Sequence, residues 1–201
     1  GTGMVETKNA LVEAGGDKEK AVELLRLRGA KSNAKRADRS TSEGLIATVH
    51  SATAVTMIEL ACETDFVAKN EKFIALADKV VAALADSGAE TVDAALAVAV
   101  DGGTVGSIIE EQAATIGEKL ELRQLVRLTG DKFEVYLHRT SKDLPPQIGV
   151  VLAYTGDDAE TARSIAQHIS FANPDYLAKD DVPEDAVANE RRIVEEISRG
   201  E

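Results

Sequence analysis

One plan is used twice in this chain, and it fixes most of what the chain can fold into. Residues 44–50 and 55–62 read as two strands joined by a short Ser-Ala-Thr turn. An acidic corner, Glu63-Thr64-Asp65, follows them, and then an amphipathic helix over 67–85. Residues 133–138 and 148–154 repeat the strands, Thr155-Gly156-Asp157 repeats the corner, and a helix follows over 158–171. Leu60-Ala61 and Asp65 match Leu152-Ala153 and Asp157 at the same offsets, and His50 and His138 each close the first strand of their unit. A strand that is apolar at nearly every position needs cover on both faces. Residues 55–62 and 148–154 are of that kind, so both are expected to be central strands beneath helices. The fold class that follows is α+β, with two small antiparallel-hairpin-plus-helix layers packed side by side. The copies differ in two respects. The second has a longer middle loop interrupted by Pro145-Pro146, and only the first sets an aromatic, Phe66, behind its corner.

Ahead of the first copy, residues 4–14 and 18–28 read as short helices. Gly15-Gly16 ends the first and Asp17 caps the second. Ala21, Val22, Leu24, Leu25 and Leu27 form the apolar face of the second, with Gly29 just past its end. Helices this short are marginal alone and need a third helix or a partner. Residues 31–42 are polar, carry Lys31, Lys35, Arg36 and Arg39, and read as a solvated linker. A basic arm for nucleic acid is the alternative, which the acidic remainder weakens. Between the copies, 91–99 and 105–117 read as helices, and 120–128 alternates with the period of a strand. Past Pro174, residues 182–198 read as a charged helix with Pro183 near its first turn. Ile193, Val194 and Ile197 form a narrow stripe on it, as in the first arm of a helical hairpin.

Composition removes several classes of function. The net charge of −12 opposes binding to phosphate backbones, which needs clustered Lys and Arg, and it suits a protein partner or plain solubility. The single cysteine, Cys62, lies in an apolar run and reads as a small buried hydrophobe, which fits a reducing cytoplasm. No apolar stretch reaches the roughly 18 residues a membrane span needs, and the start, Gly1-Thr2-Gly3-Met4, does not read as a leader. Asp101-Gly102-Gly103 lacks the Gly-Lys-Ser/Thr ending of a phosphate-cradling loop and reads as a turn. His50, His138 and His168 lack metal-ligand spacing, and no nucleophile–base arrangement is present. The residues therefore argue for no cofactor, no metal and no enzyme.

Phe66 is the odd residue. Thr64 or Asp65 is the candidate helix cap, and Phe66 stands where chains usually place small polar residues. It either folds back under the following helix as a staple contact or is left out to plug another protein.

Glu63-Thr64-Asp65-Phe66-Val67-Ala68 resembles the Thr-Asp-Phe-Val signature of the elongation factor Ts family, nucleotide exchange factors for the translational GTPase elongation factor Tu. The resemblance extends over Gly3–Leu11, Ala21–Ala30, Lys69–Phe73 and His168–Pro174. It implies a ubiquitin-associated-like (UBA-like) helical domain over 1–36, a linker over 37–42, a core N-subdomain with the corner over 43–129, and a second core subdomain with the start of a helical protrusion over 130–201. The family's three-helix N-terminal domain implies a helix ahead of Gly1, and its coiled-coil protrusion and final segment would follow Glu201. It further implies exchange catalysis in the cytoplasm, with Asp65 and Phe66 wedged near the nucleotide and magnesium of elongation factor Tu. Thr64, Val67, Met4 and His138 are implied as further contacts, and a dimer of heterodimers is an assembly it leaves open. His138 fits the family's Tyr-x-His position through Tyr136-Leu137-His138. Gln147 stands before Ile148-Gly149-Val150 where the family often has arginine, so the surface of that hairpin departs from the pattern. The alternative function is a passive protein-binding scaffold on the same core, without exchange.

Overall fold

The computed structural model describes residues 3–200; Gly1, Thr2 and Glu201, the outermost positions of the two end segments named above, lie outside the described residues. The first copy of the plan is strand β1 (Glu43–His50), strand β2 (Ala54–Cys62), a single helical turn α3 (Asp65–Ala68) and helix α4 (Glu71–Ser87). The expected continuous helix over 67–85 is thus broken. Asn70 turns to extended backbone and its side chain accepts from the Lys72 amide at 2.9 Å, so α4 has a cap of its own. Helices α5 (Val92–Leu96) and α6 (Val105–Ile116) follow, with a two-residue-strand hairpin between them that turns at Asp101-Gly102, Gly103 pairing with Val100. Strand β3 (Glu121–Thr129) then joins the far side of β2, so the sheet order is β1-β2-β3, antiparallel throughout.

β2 is central, as its composition requires. Ile58, Leu60 and Cys62 meet Phe73, Leu76, Val80 and Leu84 of α4, together with Val105 and Ile109 of α6, in one buried cluster. The second copy comprises β4 (Lys132–His138), β5 (Ile148–Tyr154) and α7 (Ala159–Ala172), capped by Asp158. Here one expectation fails. β5 pairs only with β4 and is not a central strand. Its cover comes from α7 and from the first sheet, which it meets at Gly149. A Cβ there would stand 2.7 Å from both Ile46 Cγ2 and Met57 Sδ. Ile46 and Met57 alternate with the core residues Leu45, Ala47 and Ile58, so they belong to the opposite face of that sheet. The apolar run of β5 thus reflects packing between layers rather than a central place in a sheet.

Helices α1 (Met4–Glu13) and α2 (Lys18–Ala34) pack on each other, and α2 packs on α6. Gly29 does not end α2. It lies inside the helix, where a Cβ would come 3.2 Å from that of Ala114, and the absent side chain lets the two helices approach. Asn33 donates to the Glu110 carbonyl at 2.9 Å one turn further on. The support these helices need therefore comes from α6. Residues 37–42 are not a free tether either. Thr41 is buried, and Arg123 donates to its carbonyl and, at 2.7 Å, to its hydroxyl. Arg123 reaches Thr41 from the irregular step in β3, where the register opposite Glu59 and Leu60 shifts. Helix α8 (Glu184–Arg199) follows a short 3₁₀ turn, and Val187, Val194 and Ile197 lie exposed along it. No described helix is long and apolar enough to cross a membrane.

Candidate functional site

The corner after β2 is built by side chains from three distant segments. Thr64 takes extended backbone and caps α3, its hydroxyl oxygen accepting from the Val67 amide. The same hydroxyl donates to Glu118 Oε1 at 2.6 Å. The other oxygen of Glu118 accepts from the amides of Glu63 and Thr64 at 3.0 and 3.1 Å. Glu63 returns the arrangement. One of its oxygens accepts from the Lys119 amide at 2.6 Å, and Arg39 of the segment between α2 and β1 lies 3.2 Å from both. Two glutamates thus cap each other's backbone across the corner. Burial alone would raise the pKa of Glu63, but the Lys119 amide and the Arg39 guanidinium together hold it below the ordinary glutamate value. Beneath them, burial and then the Glu118 carboxylate push the Cys62 thiol up to about 12, and the thiol donates to the Thr64 carbonyl at 3.3 Å. Cys62 is the small buried hydrophobe its surroundings predict.

Beyond the cap the chain turns outward. Phe66 is 73% exposed. Lys69 donates to Asp65 Oδ2 at 3.1 Å, and its ammonium stands 4.7 Å from the centre of the Phe66 ring. Of the two readings left open by the sequence, the fold-back one fails for a simple reason. Val67 and Ala68 already fill the space beneath α3, Val67 at 9% exposure inside the main cluster, and Phe73 fills the place under α4. Val67 is therefore corrected from a surface contact to an anchor that faces inward. Thr64 is spent on the cap and on Glu118, which leaves Asp65 and Phe66 as the outward residues of the corner.

Met4 and His138 stand on other elements. Met4 opens α1, 89% exposed, and with Leu11, Val12 and Gly15-Gly16 lines a shallow apolar groove. His138 ends β4 on the surface, with its Nδ1 3.3 Å from the Tyr136 hydroxyl. Gln147, at the position where the pattern departs, donates to Glu43 Oε2 at 2.9 Å and so ties the hairpin to β1. The corresponding corner of the second copy carries Gly156, whose carbonyl accepts from Lys132, and has no outward aromatic. Among the described residues no cluster of His, Cys, Asp and Glu is arranged to hold a metal. Glu118, Lys119 and Arg39 were not legible as parts of the site. They lie far from residue 63 in sequence, and single charged residues in turns carry no signal of their own.

Comparison with known proteins agrees with the geometry. A family model described as Elongation factor TS matches residues 63–201. The chain is 64% identical over 201 residues to Elongation factor Ts of Clavibacter michiganensis subsp. michiganensis, covering 100% of this chain and 73% of that protein. It is 63% identical over 202 residues to Elongation factor Ts of Leifsonia xyli subsp. xyli, again with 100% and 73% covered. A more distant relative, Elongation factor Ts of Tropheryma whipplei, is 52% identical over 201 residues with the same coverage. With a family model over most of its length and relatives at this identity from end to end, the chain belongs to the elongation factor Ts family.

Proposed function

We propose that the Asp65-Phe66 corner is the part of this chain that opens the nucleotide site of elongation factor Tu. Family membership supplies the role, nucleotide exchange in translation elongation. The observation that carries the corner's part in it is an aromatic ring 73% exposed on a turn whose backbone is hydrogen-bonded to Glu118 and, through Glu63, to Lys119. An exposed phenylalanine on a stiff turn gains by entering an apolar pocket, and a stiff turn loses little freedom on doing so. If that pocket is open only in the nucleotide-free GTPase, binding of the chain weakens GDP by the factor by which GDP weakens the chain. No bond is made or broken on this chain, so it accelerates release without being an enzyme in the group-transfer sense.

Met4 with its groove, and His138 with its hairpin, are the further contacts in this reading, on the helical start (1–36) and the second subdomain (130–201). The linker over 37–42 and the first subdomain over 43–129 lie between them. The setting is cytoplasmic, with no membrane and no direct nucleic-acid contact. A passive scaffold on the same core would seat the exposed ring in a partner without changing the rate of GDP release, so the release rate separates the two readings. The test is release of a fluorescent GDP analogue from elongation factor Tu with and without the chain. Faster release in its presence is expected; release at the intrinsic rate at all chain concentrations refutes the proposal.

A further inference from the structure

We infer that Glu118 is a positioning residue for exchange, acting on the partner only through the attitude it gives the Phe66 corner. The inference rests on the reading of Phe66 as the wedge. A tip of two residues, Glu63 and Thr64, between a strand and a one-turn helix has little of its own to hold it. Yet two consecutive amides, Glu63 and Thr64, and the Thr64 hydroxyl all donate to one carboxylate, which arrives from the turn after α6, 54 residues on. A carboxylate suits this place better than a neutral acceptor. It offers two oxygens with no proton of its own, and its charge strengthens each bond. The hydroxyl that donates to it is also the one that caps α3, so the same group sets where the helix starts and hence where Phe66 points. Glu118 is itself only partly exposed. Thr64, by contrast, is both held and holding, and its substitution would disturb the cap as well.

The experiment compares the parent chain with E118A, E118Q, F66A and the double variant E118A/F66A. Fluorescent GDP release from elongation factor Tu is the activity readout, with amide hydrogen exchange of residues 63–68 and thermal melts alongside. E118A is expected to melt close to the parent, to exchange the amides of residues 63–68 about tenfold faster or more, and to slow GDP release by about tenfold, the effect of one lost charge-assisted anchor. E118Q keeps one carbonyl oxygen for the two amides but not the charge, and is expected to restore part of both. In the F66A background E118A is expected to add nothing, because two residues acting through one ring are not additive. Corner amides as protected in E118A as in the parent, or a full additional loss in the double variant, overturn the positioning role. A fast F66A sinks the wedge reading and this inference with it. A slow F66A beside a fast E118A sinks only the inference.

Discussion

Replacing Phe66 by alanine separates binding from folding, and the structure fixes the size of each effect. The fold removes only about a quarter of Phe66 from water, since the residue is 73% exposed. Full burial of a phenylalanine is worth about 1.5–3 kcal/mol, so the folded state should lose less than about 1 kcal/mol. In a chain of 201 residues that is a fall in Tm of about 2–4 °C at most. The exposed three quarters of the ring, if buried in a partner pocket, contribute about 1–2 kcal/mol, which is a five- to thirtyfold change in exchange efficiency by order of magnitude. Phe73, fully buried under α4, is the control in the opposite sense. Its alanine variant should lose about 3–5 kcal/mol of stability. The assay is stopped-flow release of a fluorescent GDP analogue from elongation factor Tu over a range of chain concentrations, with calorimetric melts of each variant. F66A should be slow and stable. A variant that is slow because it melts as early as F73A would show that the ring supports the core and would refute the reasoning. One that releases GDP as fast as the parent would show that the ring does not reach the partner.

Other perturbations give smaller or more local effects. Lys69→Ala removes the ammonium over the ring, a contact worth about 0.5–1 kcal/mol at exposed sites, and should change GDP release by no more than about fivefold. Glu63 has a folded pKa below its ordinary value, so its share of stability is complete above the ordinary glutamate range and is lost as pH falls through the folded pKa. Melts of Glu63→Gln and the parent should therefore differ at pH 7 and converge as the pH drops below about 4; a constant gap would show that the carboxylate's charge is not what Arg39 and Lys119 hold. Cys62, buried and pushed up to about 12, should stay unlabelled by iodoacetamide at pH 8 and react only on unfolding, as mass spectrometry would show. Gly149→Ala sets a methyl against Ile46 and Met57 and should cost about 1–3 kcal/mol in melts.

The repeated plan was legible because strands and helices announce themselves by period, and the two copies announce themselves alike. What failed to show in the sequence was contact between segments far apart. Gly29 reads as a helix end because glycine usually is one, whereas here Ala114 of α6 asks for the missing side chain. The break at Asn70 falls in an all-polar stretch, Lys69 to Lys72, which suits the exposed side of a continuous helix as well as it suits a cap, and only the side-chain bond to Lys72 reveals the second cap. The apolar run of β5 foretold burial that only Val150 fully attains, with Ile148 and Ala153 exposed, because periodicity does not say whether the cover is a helix, a neighbouring strand or another sheet. In the site, the aromatic at the tip was visible and its direction was not. That depended on Val67 and Phe73 having filled the space beneath.

The clamp on the corner also has a consequence for synthesis. Thr64 through Phe66 are made early, but the Lys119 amide that Glu63 needs comes 56 residues later, and Glu118 comes 54 residues after Thr64. A chain growing from the ribosome therefore carries its apolar tip for some time before the turn after α6 emerges to stiffen it. At about 5–20 residues per second that delay is several seconds. During it the β1–β2 hairpin also lacks β3, its second neighbour. Nascent chains stalled short of residue 118 should be unable to engage the GTPase productively, so the order of translation itself withholds the wedge until the body behind it is built.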